Sequence, residues 1–156
     1  LKKEELDIHE LIRNVAEKTE IFVREKQGEI TLELHAAQSI ISTDKVHLMN
    51  VLYNLFDNAI KYTPDNPQIC VNTKSNEREI IISIQDNGIG ISKKDQEKIF
   101  EKLYRVPTGN IHNVKGFGLG LNYVKTIVEK QDGTIKVVSE IGQGSTFIVH
   151  LPITNK

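Results

Sequence analysis

The chain has 156 residues, a length that suits one compact domain with a sizeable core. Hydrophobic residues make up 38% and charged residues 26%, as in an ordinary globular protein, and the net charge of -1 implies no general affinity for nucleic acid or an anionic membrane surface. Cys70 is the only cysteine, so an internal disulfide is impossible and a reducing compartment is expected; no signal peptide and no apolar stretch long enough to cross a bilayer are found.

The chain begins at "LKKEEL" without a methionine and is read as a piece of a larger protein, a single domain over residues 1–156. In "LDIHELIRNVAEKTEIFVREKQGE" the apolar residues Ile8, Leu11, Ile12, Val15, Ile21, Phe22 and Val23 fall mostly at helical spacing, with Gly28 as a stop. "EITLEL" alternates Ile30, Leu32 and Leu34 as a strand does. "STDKVHLMNVLYNLFDNAIKYTPDNP" opens on capping residues, ends on Pro64 and Pro67, and predicts a long helix. "QICVNTK" and "REIIISIQ" predict two strands joined near Ser75-Asn76. "KKDQEKIFEKLYRV" predicts a shorter helix, and the Pro- and Gly-containing "PTGNIHNVKGFG" a loop. "LGLNYVKTIVEKQDG" is again helical up to Asp132-Gly133, and "TIKVVSE" and "STFIVHLP" close the chain as strands around "IGQG". This order of elements predicts an α+β fold, a two-layer sandwich of a mixed sheet of about five strands packed on about three helices.

Three stretches carry chemistry. On the long helix, Val51, Leu55, Ala59 and Tyr62 share an apolar stripe with Leu48 and Leu52 beside it, while Asn54, Asn58 and Lys61 line its polar border. A solvated helix edge fits that pattern. Two asparagines in mid-helix are, however, not there for helix propensity, and an Asn amide oxygen followed one turn later by a Lys suits Mg²⁺ and phosphate. "DNGIGI" ends a strand at Asp86. Asn-Gly favours a hairpin turn, but a helical pattern follows instead of a strand, so the reading is a strand-to-loop-to-helix exit. There Gly88 and Gly90 let backbone approach a flat ligand and a carboxylate can accept a hydrogen bond from an exocyclic amine. In "KGFGLGL", Gly116, Gly118 and Gly120 stand where loop becomes helix, which fits either a plain flexible loop or a phosphate cradle at a helix N-terminus.

In this order the three stretches resemble the catalytic, ATP-binding domain of bacterial sensor histidine kinases, within the superfamily that includes gyrase-type ATPases. "NLFDNAIKYT" is similar to that family's asparagine box, "DNGIGI" and "GFGLGL" to its glycine boxes, "IFEKLYRV" to its phenylalanine box and "GQGSTFIVHLP" to its closing strand. The resemblance runs from about Ile8 to Pro152.

The resemblance implies a site residue by residue. Asn58 would ligate Mg²⁺, Asn54 would sit beside the phosphates, Lys61 would contact a phosphate, and Arg105 would reach the terminal one. Tyr62 would line the adenine, Asp86 would accept from its amino group, and Gly88 and Gly90 would make room for the base. Gly116, Gly118, Leu119 and Gly120 would close on the phosphates, under a mobile lid over ATP from about Ser92 to Lys115. Position 103 is Leu where the family often has a second aromatic. Position 54 is Asn where hydrolysing members of the superfamily carry Glu. An amide cannot act as a general base, so the site is expected to hold ATP for a nucleophile other than water. That nucleophile, a histidine on a helical hairpin domain of the same kinase, is not found in this chain. "DIHELIRNV" lacks the family's Pro, and His9 is read as structural or exposed. His35, His47, His112 and His150 show no metal-ligand spacing.

The implied function is transfer of the γ-phosphoryl group of ATP, with Mg²⁺, to that histidine in two-component signal transduction, with a response regulator downstream. The chain itself is expected to be a monomer and a cytoplasmic domain, its parent a homodimer anchored in the inner membrane. A related anti-sigma serine kinase shares the boxes, a scaffolding module would have lost some, and a hydrolytic ATPase is disfavoured by Asn54.

Overall fold

The computed structural model describes residues 1–102 and 119–153. In chain order the elements are β1 (Lys3–Asp7), α1 (Ile8–Glu25), β2 (Glu29–Leu34), β3 (Ile40–Asp44), α2 (Lys45–Lys61), β4 (Gln68–Ser75), β5 (Glu79–Gln85), α3 (Lys93–Gln96), α4 (Leu119–Lys130), β6 (Thr134–Glu140) and β7 (Gly144–Pro152). Five strands form a mixed sheet in the order β2-β4-β5-β7-β6, with β2 and β4 parallel and the other pairs antiparallel. Register places Val71 beside Ile84, Ile82 beside Val149, and Ile84 beside Phe147. These side chains share one face and are buried against α1, α2 and α4 in a single core. The α+β sandwich expected from the element order is the architecture found.

Helix α1 starts at Asp7, whose carboxylate accepts from the His9 N–H at 3.0 Å. Its buried stripe is Ile8, Leu11, Ile12, Val15, Ala16, Thr19 and Val23. Ile21 and Phe22, counted with that stripe from sequence, are 61% and 55% exposed. They lie two and three residues past Thr19, which holds the inward position and satisfies its hydroxyl on the Val15 carbonyl at 2.8 Å. At the helix end Gln27, not Gly28, takes the left-handed backbone (φ 62°). Gly28 is glycine for another reason, since a Cβ there would run into the Pro67 carbonyl.

Two differences from the sequence reading stand out. A second, two-stranded antiparallel sheet joins β1 to β3, pairing Lys3 with Asp44 through to Asp7 with Ile40. "KEELD" has no alternation, and "STD" reads as a helix start; the pairing between them is a long-range fact that local pattern does not carry. Asp44 serves both elements. It ends β3, accepts the Lys2 N–H at 2.7 Å, and caps α2 by accepting from His47 N at 3.0 Å. The helix expected over 93–106 is a single turn, Lys93–Gln96, capped by Ser92, and residues 97–102 continue as turns; 103–106 lie outside the described residues.

Candidate functional site

Helix α2 is the spine of the site. Leu48, Val51, Leu52, Leu55, Phe56, Ala59 and Ile60 are buried, which fixes its rotation and leaves Asn54, Asn58 and Lys61 half-buried along one border. Asn54 donates through Nδ2 to the Asn50 carbonyl at 2.7 Å, which holds its amide against its own helix. The first turn of α4 lies against it, since a Cβ on Gly120 would stand 3.0 Å from Asn54 Oδ1. Lys61 pairs with Asp57 at 2.8 Å, so a phosphate at Lys61 would share that ammonium with a carboxylate.

At the other end of α2, Tyr62 is the C-cap, and its carbonyl accepts from Ile89 N at 3.0 Å. The 86–91 loop therefore sits on the C-terminal end of α2. Gly88 is packed so tightly there that a Cβ would run into the Tyr62 carbonyl and stand 2.7 Å from Thr63 Oγ1. Gly90 has φ +77°, and a Cβ on it would run into the Glu140 carbonyl. Besides the room for a base expected of them, the missing Cβ atoms of these glycines seat the loop against α2 and against the β6–β7 turn.

Asp86 is the buried charge of the site, 6% exposed. Its Oδ1 accepts from Gly88 N at 2.9 Å and Ser145 N at 3.2 Å. Among the described residues no bond falls on Oδ2, the atom that would serve an amine. Burial pushes the Asp86 carboxyl above its ordinary pKa, and the two backbone donors draw it partly back. From Asn54 to Tyr62, α2 rises by roughly 12 Å. The arrangement is therefore elongated, with the Asp86 carboxylate beside the 86–91 loop at one end and amides beside a helix N-terminus at the other. That shape and donor set suit a base-plus-phosphate ligand.

Residues 43–155 match the family described as histidine kinase-, DNA gyrase B- and HSP90-like ATPase. The chain belongs to this family. It is 47% identical over 155 residues to the sensor protein RprX of Bacteroides fragilis (strain YCH46), covering 98% of this chain and 30% of that protein. It is 33% identical over 155 residues to the sensor protein SrrB of Staphylococcus aureus (strain NCTC 8325 / PS 47), covering 96% of this chain and 27% of that protein. The chain thus spans less than a third of these curated relatives. Among solved structures, the catalytic domain of histidine kinase ThkA superposes with a TM-score of 0.87 at 26% identity, covering 99% of this chain and 100% of that one. Full-length ShkA in complex with AMPPNP superposes with a TM-score of 0.85 at 28% identity, covering 99% of this chain and 32% of that one. The chain is a catalytic domain of the histidine-kinase type.

Within this histidine-kinase domain the structure brings Asn54 to Gly120 and Tyr62 to Gly88, and sets Asp86 beside the same loop. Leu119 opens α4. Arg105, Gly116 and Gly118 lie outside the described residues, as do Leu103, His112 and 103–115 of the expected lid. His9 is buried, with Nε2 2.8 Å from Thr73 Oγ1, and burial lowers its pKa, so it is structural as expected. His47 meets the Tyr123 hydroxyl at 2.8 Å and His150 pairs with Glu79 at 3.1 Å, partners that no sequence spacing announced. Sequence reasoning also missed the residues that hold the 86–91 loop from outside, Ser139 and Ser145 on the β6–β7 hairpin and Gln96 on α3. They lay in "TIKVVSE", "GQGSTFIVHLP" and "KKDQEKIFEKLYRV", read only as strands and a helix. Among the described residues no group of three or more His, Cys, Asp or Glu is placed to hold a metal, and no helix is long and apolar enough to cross a membrane.

Proposed function

We propose that the chain binds ATP with Mg²⁺ between α2, the 86–91 loop and the start of α4, and transfers the γ-phosphoryl group to a histidine on a separate dimerisation and phosphoacceptor domain of the same kinase. The observation that carries this reading is the joint placement of Asp86 and Tyr62 at one end of α2 and Asn54 and Gly120 at the other. Adenine would lie over the glycine-lined loop, with its amino group on Asp86 and its ring beside Tyr62. The phosphates would run along Asn58 and Lys61 towards Asn54 and α4, where Leu119 and Gly120 present backbone N–H groups, joined by Arg105, Gly116 and Gly118.

The donor set fits Mg²⁺. Asn58 offers one hard, neutral oxygen, and Mg²⁺ takes its remaining ligands from phosphate and water rather than from a protein cage. When bound, the ion neutralises charge on the phosphoryl oxygens. The chain's residues hold the nucleotide, and Asn54 supplies no base to activate water, so catalysis is positioning and charge stabilisation.

Two protein partners follow: the histidine-bearing domain, in a homodimeric parent on the cytoplasmic side of the inner membrane, and a response regulator downstream. ThkA, which shares this fold, is described in complex with the response regulator TrrA. Calorimetry is expected to show ATP binding that Mg²⁺ strengthens more than it strengthens ADP binding. No heat with ATP at millimolar concentration would overturn the reading. A labelled phosphoprotein product should lose its label in acid and keep it in base, as phosphohistidine does; the reverse would indicate a serine kinase.

A further inference from the structure

The 86–91 loop contains two glycines, which give its backbone freedom rather than direction, so something outside the loop must fix it. Three contacts to the β6–β7 hairpin do so at its upstream end. Asp86 N donates to Ser145 O at 2.8 Å, Ser145 N donates to Asp86 Oδ1 at 3.2 Å, and Gly144 is so close that a Cβ would run into the Asp86 carbonyl. At the downstream end both backbone groups of Ile91 are taken. Its N–H donates to Ser139 Oγ at 2.7 Å, and its carbonyl accepts from Gln96 Nε2 at 2.6 Å.

These two side chains have every donor hydrogen committed. Ser139 Oγ donates to Gly144 O at 2.9 Å, and with that proton committed the Ser145 hydroxyl, 2.8 Å away, donates to Ser139. Gln96 Nε2 uses its second hydrogen on Ser139 O at 3.0 Å. Hydrogen bonds therefore run from Asp86 through Ser145 and Ser139 to Ile91, and the loop backbone closes the circuit. Gln96 adds the first turn of α3 to it.

We propose that Ser139 and Gln96 are positioning residues of the adenine site: they lock Ile91 to the β6–β7 hairpin and so hold the loop that aims the Asp86 carboxylate at the amino group of the base. This rests on the reading of Asp86 as the adenine acceptor. Neither side chain touches the ligand. Removing either lets the loop shift relative to α2, and the contact that suffers is the one with strict geometry, the hydrogen bond to the amine.

The test compares binding of ATP and of purine riboside triphosphate, which is ATP without the amine, by calorimetry with Mg²⁺ on the whole chain. The unmodified protein should prefer ATP by about 10–100-fold, the worth of a hydrogen bond to a charged acceptor. Ser139→Ala and Gln96→Met should each narrow that preference by about fivefold, mainly by weakening ATP, and Ser139→Thr, which keeps the hydroxyl, should restore it. If both variants weaken the two nucleotides equally, the residues are merely structural and the proposal is overturned. If Ser139→Ala does not fold, Gln96→Met alone decides by the same ratio. If the unmodified protein shows no preference for ATP, the adenine reading of Asp86 fails and takes this proposal with it.

Discussion

Asp86 shows how a residue can be legible in sequence while its reason is not. Its place at a strand end before Asn-Gly singled it out, and it is buried there with its Oδ1 accepting from Gly88 N. Asp86→Asn removes the charge from the acceptor and is expected to weaken ATP by about 10–100-fold while the protein stays folded; calorimetry beside a melting curve checks this. The glycines were legible too, but as room for a ligand. Seeing that Gly90 meets the Glu140 carbonyl needs the β6–β7 turn in place. Gly142 also has a positive φ (+83°), yet a Cβ there meets nothing within 4 Å. Gly142→Ala should therefore cost only the left-handed backbone penalty, about 1–2 kcal/mol, whereas Gly90→Ala adds a backbone collision and should lower the melting temperature further. Equal losses would contradict the packing described. His9 makes a pH prediction. Burial lowers its pKa in the folded state, so the unfolded chain takes up a proton first as pH falls. The stability it contributes is complete above the unfolded value, roughly 6.5, and is lost as pH falls through the folded one. Asp86 works in the opposite sense, because its raised pKa favours the protonated fold in acid. The two separate in a comparison of denaturation midpoints of the unmodified protein and His9→Gln from pH 8 to 5. The variant should lose less stability on acidification than the unmodified protein does.

At the scale of elements, periodicity found α1, α2, α4 and all five strands of the main sheet, because each carries a buried or half-buried apolar stripe of its own. It missed β1 and β3, short strands that pair with each other outside the main sheet. It also overextended α3, because "KIFEK" looks helical locally while Ile99 is drawn into the core and Phe100 stands edge-on to Phe147 at 6.3 Å. Helix α2 does two jobs on two sides, and they should separate by mutation. Leu55 is buried, one residue from Asn54, and Leu55→Ala should destabilise by about 2–5 kcal/mol. Asn58 is half-buried on the polar border, and Asn58→Ala should leave stability within roughly 1 kcal/mol while removing the Mg²⁺ enhancement of ATP binding. Urea denaturation of both variants, paired with calorimetry, distinguishes this from a helix in which core and site are inseparable.

At the scale of the whole molecule, the order of the three motifs carried the family, and the fold sets the 86–91 loop and the start of α4 against α2. The parallel pairing of β2 with β4, reached by a crossover through α2, was not legible, since strand order depends on contacts far apart in sequence. The chain contains no residue that can activate water at position 54, and its one histidine in a phosphoacceptor-like stretch, His9, is buried against Thr73. Under the proposed function the phosphoryl acceptor is a histidine on another domain. The most direct measurement is label transfer from γ-labelled ATP to a separately supplied histidine-bearing hairpin of the parent kinase. The chain should not label itself, should label the hairpin more slowly than a tethered pair because tethering raises effective concentration, and should lose the transfer in Asn58→Ala but keep it in His9→Gln. Robust self-labelling at His9, or undiminished transfer by Asn58→Ala, would contradict the account.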